Sequence, residues 1–170
     1  MALSARTSGV ATLVLRVITL GLLTASLVIL ATARIHEDTL YYAGEIIRSS
    51  YDITFKDHYA LRYVFSVAAI GCAYTLLVIP LAAIAAVKGM AIGGASFVRL
   101  HIFTDIIFCA LFSTGGAAGL GFVVDHQIHN KGDPSRVLRF LHFVDASCGL
   151  LLAAAICTVV MIMISVSMKT

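Results

Sequence analysis

The chain has no tryptophan, only two prolines and few charges, with Asp, Glu, Lys and Arg making up 12% of it. A soluble domain of 170 residues cannot hide the surface implied by 60% apolar residues and a mean hydropathy of +0.99. All four cysteines, Cys72, Cys109, Cys148 and Cys157, fall inside apolar runs, which excludes an extracellular disulfide framework. They form no C-x-x-C pair for thiol exchange and read as small, polarizable packing residues. Asn130 is the only asparagine, and Gly132 two positions on excludes an N-glycosylation acceptor. Twelve Lys and Arg against nine acids, with no basic arm, is too small an excess for nucleic-acid binding.

What the chain does have is apolar runs long enough to cross a bilayer, for which about 20 residues of helix suffice. Residues 10–33 are interrupted by Arg16, and residues 63–87 contain Pro80 and no charge. Residues 100–124 contain His101 and Asp105, and residues 141–168 contain His142 and Asp145. Lipid offers the backbone no hydrogen-bond partner, and so few segments cannot close a barrel, so all of them are helices. The predicted fold is all-α, a four-helix membrane bundle forming a single domain over residues 1–170. The first loop, 34–62, mixes charges of both signs and lacks proline and glycine clusters, which predicts a small ordered extracellular cap. A short helix and a β-hairpin both fit it.

An even number of spans places both tails on one side. The tails and the loop at 88–99 hold Arg6, Lys88, Arg99 and Lys169 without an acid, whereas loops 34–62 and 125–140 balance their basic residues with acids. Lys and Arg density differs little between the two sides, and net charge favours cytosolic tails. The run Val17 to Leu30, followed by Ala31, Thr32, Ala33 and Arg34, has the look of a signal-peptide core. The length of the whole run and Arg16 within it favour a retained span.

A charge inside a span costs about 2.5 kcal/mol or more at mid-membrane, so Arg16 and Asp105 each need a partner, a cavity or a route to the interface. The first and third helices run in the same direction, which puts the two residues at roughly 9 and 7.5 Å from the same face. An Arg–carboxylate pair is the economical solution, with packing specificity as its role. Snorkelling of Arg16 to the headgroups is the alternative, and Asp105 is too short to follow.

Stepping from Asp105 at helical spacing reaches Phe108, Cys109, Phe112, Gly115, Gly116 and Gly119, with Gly115 and Gly119 in the G-x-x-x-G relation. That stripe is predicted to be a helix-contact surface. Gly149, Ala153 and Cys157 supply a similar row on the fourth helix, and Thr12, Arg16 and Thr19 cluster on the first; each stripe faces either a neighbour in the same bundle, the blander reading, or another subunit. Asp145 has Arg62, Arg139 and Arg136 as potential partners, or a solvated helix start. His126 and His129 in DHQIHN lack the further ligands of a closed metal site and read as solvated loop residues. His101 and His142 sit at span ends and do not form the facing pairs a haem requires. No metal, haem or other cofactor is expected, and no nucleophile with an accompanying base stands out.

With an arginine in the first of four spans and an aspartate in the third, the chain resembles the Casparian strip membrane domain proteins of plants. The resemblance rests on RVITLGLLTASLVILAT, ITFKDHYALRYVFSVAAIGCAYTLLVIP and FTDIIFCALFSTGGAAGLGF, and Arg16 and Asp105 match the family's intramembrane charges. The layout is also similar to MARVEL-type four-span proteins. The resemblance implies a plasma-membrane protein with cytosolic termini that forms homo- and hetero-oligomers with family members. Founding members form a scaffold that marks a diffusion barrier and localises cell-wall enzymes. Their short first-loop signature is missing here, so the chain is similar to the Casparian-strip-like relatives.

The expected function is therefore a non-enzymatic scaffold with membrane lipids and cell-wall enzymes among its partners. The rival is a small transporter or channel subunit in which Arg16 and Asp105 line a polar path.

Overall fold

A computed structural model describes the backbone of residues 2–40, 48–54, 58–88, 94–129 and 135–167, and side chains over 9–33, 58–84, 100–129 and 137–167. The elements run α1 (Ala2–Thr32), β1 (Arg34–Leu40), β2 (Arg48–Thr54), α2 (Tyr59–Lys88), α3 (Gly94–His129) and α4 (Ser135–Ser167). All four helices contain stretches long and apolar enough to cross a membrane: Gly9–Thr32, Tyr59–Ile84, Leu100–His129 and Val137–Ser167.

The helices form a ring in chain order. α1 packs against α2 and α4, and α3 packs against the same two, so α1 and α3 face each other across the diagonal. The burial pattern suits a lipid environment. Leu77, Ile156 and Met163 point outward, while Arg16, Thr19, Ser26, Thr75, Asp105, Ser147 and Thr158 are buried among Leu23, Phe112, Leu151 and Met161. Hydrocarbon receives apolar side chains freely and hydroxyls poorly, so the polar groups are turned inward.

The first loop adopts the hairpin alternative. β1 and β2 pair antiparallel with Arg34 opposite Thr54, Glu37 opposite Tyr51 and Leu40 opposite Arg48. Ile35, Thr39, Tyr51, Ile53 and Thr54 are the β-branched and aromatic types that favour an extended chain. A two-stranded hairpin is marginal on its own, and β1 here lies against α4. Residues 41–47 of this loop lie outside the described residues, as do Lys131 and Lys169. The side chains of Arg6, Lys88, Arg99 and Arg136 lie outside them too.

The linear reading is corrected at α3. At 36 residues it is about 54 Å long, well beyond a hydrocarbon core, and it extends the predicted 100–124 segment at both ends. The DHQIHN segment up to His129 is thus helical and not a loop. It contains neither glycine nor proline, the residues that most often interrupt a helix.

Candidate functional site

Arg16 lies on the inward stripe of α1 that continues through Thr19, Leu23, Ser26 and Leu30. Its side chain crosses the diagonal to α3. Nη2 donates to Asp105 Oδ2 at 2.8 Å and Nη1 reaches Oδ1 at 3.4 Å, with both side chains 4% exposed. Two further residues complete the cluster. The Tyr74 hydroxyl of α2 donates to Asp105 Oδ1 at 2.7 Å, and His101 Nε2, one turn before Asp105, lies 2.6 Å from Arg16 Nη2.

Three helices therefore meet at one carboxylate. Oδ1 receives Tyr74 and the longer arginine contact, while Oδ2 receives the shorter one, so the ion is solvated by protein donors in place of water. Tyr74 stacks on Phe108 with ring centroids 4.1 Å apart and planes within 11°, and Phe108 leads to buried Phe112 at 5.9 Å. This aromatic column fixes the phenol. Tyr74→Phe keeps the stack and removes only the donor, so it is expected to cost about 1 kcal/mol and to lower the thermal midpoint in detergent without loss of the fold.

Neither Tyr74 nor His101 emerged from the linear sequence as a member of this cluster. His101 was readable in principle, because its i to i+4 spacing puts it on the Asp105 face. Tyr74 carried no such signal.

A second polar contact joins α1 to α4. Ser26 Oγ lies 2.8 Å from Ser147 Oγ and donates to Ser147 O at 3.0 Å, while Ser147 Oγ can donate to Ser26 O at 3.1 Å. Both serines are fully buried, and each hydroxyl finds its partners on the facing helix. Ser147→Ala is expected to cost about 0.6 kcal/mol and at most about 1.7, the range for interhelical hydrogen bonds in a bilayer. The Ser26→Ala/Ser147→Ala double variant should cost less than the sum of the single changes, because neither hydroxyl is left without its mate. Thermal unfolding of the four members of the cycle checks this.

The glycine stripe of α3 faces its neighbours. A Cβ on Gly115 would meet Leu151 Cδ2 at 2.9 Å and Val67 Cγ1 at 3.3 Å, and one on Gly116 would meet Leu152 Cγ at 2.7 Å. One on Gly119 would fall onto Cys148 Sγ. Gly71 of α2, unmarked in the linear sequence, receives the Phe112 ring in the same manner.

Within the bundle, the row assigned to α4 is not the packed one. Gly149 is exposed with nothing near the place a Cβ would occupy, and Ala153 is only half-buried. The packed face of α4 is instead Ser147, Cys148, Leu151, Ala154, Ala155 and Thr158. Small size marks a position that can pack closely, but rotation of the helix about its axis decides which positions do.

Asp145 is exposed and makes no ion pair among the described residues, while Arg62 lies over the Tyr59 ring at 5.9 Å. On the last turns of α3, His129 Nδ1 stands 3.2 Å from Asp125 Oδ1 with both side chains largely exposed, and the His126 ring lies 6.0 Å from that of Phe122. Among the described residues no group of three His, Cys, Asp or Glu is placed to hold a metal ion.

Comparison with known proteins adds an independent line. The family model described as Casparian strip membrane protein domain matches residues 5–157. "CASP-like protein 4D1" of Sorghum bicolor is 37% identical, covering 92% of this chain and 89% of the relative. The proteins of the same name from Glycine max and Ricinus communis are each 33% identical, covering 87% and 91% of this chain and 80% and 88% of their own lengths. No solved structure matches.

Proposed function

The chain belongs to the Casparian strip membrane protein family, and on that premise we propose that it is a non-enzymatic scaffold of the plant plasma membrane. It assembles with itself and with other family members into an ordered membrane domain. Both termini face the cytosol, and the hairpin between α1 and α2 faces the cell wall, where cell-wall enzymes and membrane lipids meet the assembly.

The observation that carries this reading is the closed character of the Arg16–Asp105 cluster. The buried Leu23, Phe112 and Leu151 succeed it along α1, α3 and α4, and the tight Ser26–Ser147 contact lies next to them. A transporter needs a row of available polar groups leading on from the charges, whereas the buried hydroxyls of Thr19, Thr75 and Thr158 are committed to carbonyls of their own helices and those of Ser26 and Ser147 to each other. Charges enclosed in this way contribute pairing geometry: they tie diagonal helices in one register and leave an outer surface of uniform shape for association. The Arg16–Asp105 pair and the Gly115, Gly116 and Gly119 stripe act together in that role.

The experiment that tests the proposal is the oligomeric mass of gently solubilised full-length protein, by native mass spectrometry or particle imaging, with Asp105→Leu alongside. A discrete assembly that is lost in the variant supports the scaffold. Monomers in both, or proton or ion flux in reconstituted liposomes that falls in Asp105→Asn, would overturn it.

A further inference from the structure

We propose that His101 is an acid-sensitive latch on the Arg16–Asp105 pair: a proton on its Nε2 releases the guanidinium and unties α1 from α3. The proposal rests on the reading of that pair as the element that registers the bundle.

A guanidinium has donors and no acceptor, so the 2.6 Å contact between Arg16 Nη2 and His101 Nε2 requires a lone pair on Nε2. The imidazole is then neutral and carries its hydrogen on Nδ1. Arg16 Nη2 is held from two sides, by Asp105 Oδ2 at 2.8 Å and by His101, one turn apart on α3. A second ring proton would set N–H against N–H and cation against cation. The Arg16 and Asp105 side chains are 4% exposed, so water cannot screen that repulsion. The imidazolium would also compete with Arg16 for the Asp105 carboxylate on its own helix.

The groups facing His101 can be named element by element. α1 presents Arg16. α2 presents Tyr74, whose ring lies 6.4 Å away and whose hydroxyl is committed to Asp105. α3 presents Asp105 itself, and α4 carries no Asp, Glu, Lys, Arg or His from Ala146 to Ser167. No second carboxylate among the described residues of this cluster stands ready to neutralise a charged His101. The residue is half-buried at the start of the α3 span, within reach of protons from the interface where α1 and α3 both begin.

The sign of the effect follows. A proton on Nε2 removes the lone pair that receives Arg16 Nη2, so the contact stands where the ring is neutral and is lost on acidification. Stability is therefore expected to fall as pH is lowered. The test is the thermal midpoint of the full-length protein in neutral-lipid nanodiscs across about pH 5 to 8, with His101→Gln alongside. The wild-type midpoint is expected to fall by about 3 °C or more on acidification beyond any fall in the variant, whose amide oxygen accepts the same hydrogen bond at every pH. The remaining histidines are common to both proteins, so whatever they contribute cancels in the difference.

Parallel profiles would overturn the latch. Nitrogen NMR of the histidines in the wild-type protein gives a second reading that does not depend on the variant folding. At neutral pH, His101 is expected to carry its proton on Nδ1 with Nε2 bare, and an Nε2–H form or an imidazolium there would overturn the proposal. The two readings fail separately. An Asp105→Leu protein that misassembles, beside parallel wild-type and His101→Gln profiles, removes the latch alone; an Asp105→Leu protein that assembles normally removes the scaffold reading at any pH.

Discussion

Asp105→Leu is expected to destabilise the bundle by about 3–5 kcal/mol, enough to abolish assembly, because it strands a buried guanidinium and not because the lost attraction is itself so large. Arg16 is 3% exposed and spans the bundle diagonal. Without the carboxylate it keeps, among the described residues, only His101 as an acceptor, and Tyr74 loses the acceptor for its hydroxyl at the same stroke. The expected readout is retention inside the cell and loss of the discrete oligomer in detergent. Removing both charges together with neutral residues of similar volume should be milder than either single change, since the dominant penalty is the uncompensated ion.

The charge-reversed pair, Arg16→Asp with Asp105→Arg, is expected to recover assembly only in part. A guanidinium on α3 can reach back across the diagonal to a carboxylate on α1. It leaves the Tyr74 hydroxyl facing a group that cannot accept, and it sets His101 on the same helix face as the new cation. Full recovery would mean that Tyr74 and His101 contribute nothing to the site. Normal assembly of both single charge deletions would remove the pair from the account of this protein.

The second large effect is expected at Gly119. Leucine there would drive its Cβ onto Cys148 Sγ and its branch toward Val64, forcing α3 away from both α4 and α2. The cost combines overpacking, about 1–3 kcal/mol or more, with loss of contacts around Leu151, which is fully buried. The control is Gly149→Leu, which meets open space and exchanges one lipid-facing residue for another. Thermal midpoints of the two variants should therefore separate widely, with Gly149→Leu close to wild type. Equal sensitivity would mean that α4 is rotated about its axis from the orientation described here.

How much of this was legible before the fold was known differs from residue to residue. Arg16 and Asp105 stood out because a charge in a span is expensive and equal depth on parallel helices lets two such charges meet. Gly115, Gly116 and Gly119 stood out by spacing. Gly149 has the same local appearance and faces outward, and nothing local separates the two cases. Tyr74 is about 13 residues from the Val87 end of its predicted span, or roughly 20 Å, against about 7.5 Å for Asp105, so depth arithmetic keeps them apart. The stagger of α2 against α3 brings them together. The hairpin was one of two readings of the first loop, since its β-branched residues suit a strand only where something such as α4 receives it.

By itself, the amino-acid sequence determined that this is a membrane protein of four helices with one arginine and one aspartate that must be accommodated inside. Hydrocarbon imposes that result through length, polarity and backbone hydrogen bonding, which are properties of single segments. The tertiary structure alone decided that the arginine crosses the diagonal, that a tyrosine and a histidine join the carboxylate cluster, and which small residues touch a neighbour. Those outcomes depend on the rotation and axial stagger of one helix against another. A helix apolar on nearly every side can be turned or slid in lipid at little cost, until side chains from several helices fit together at once.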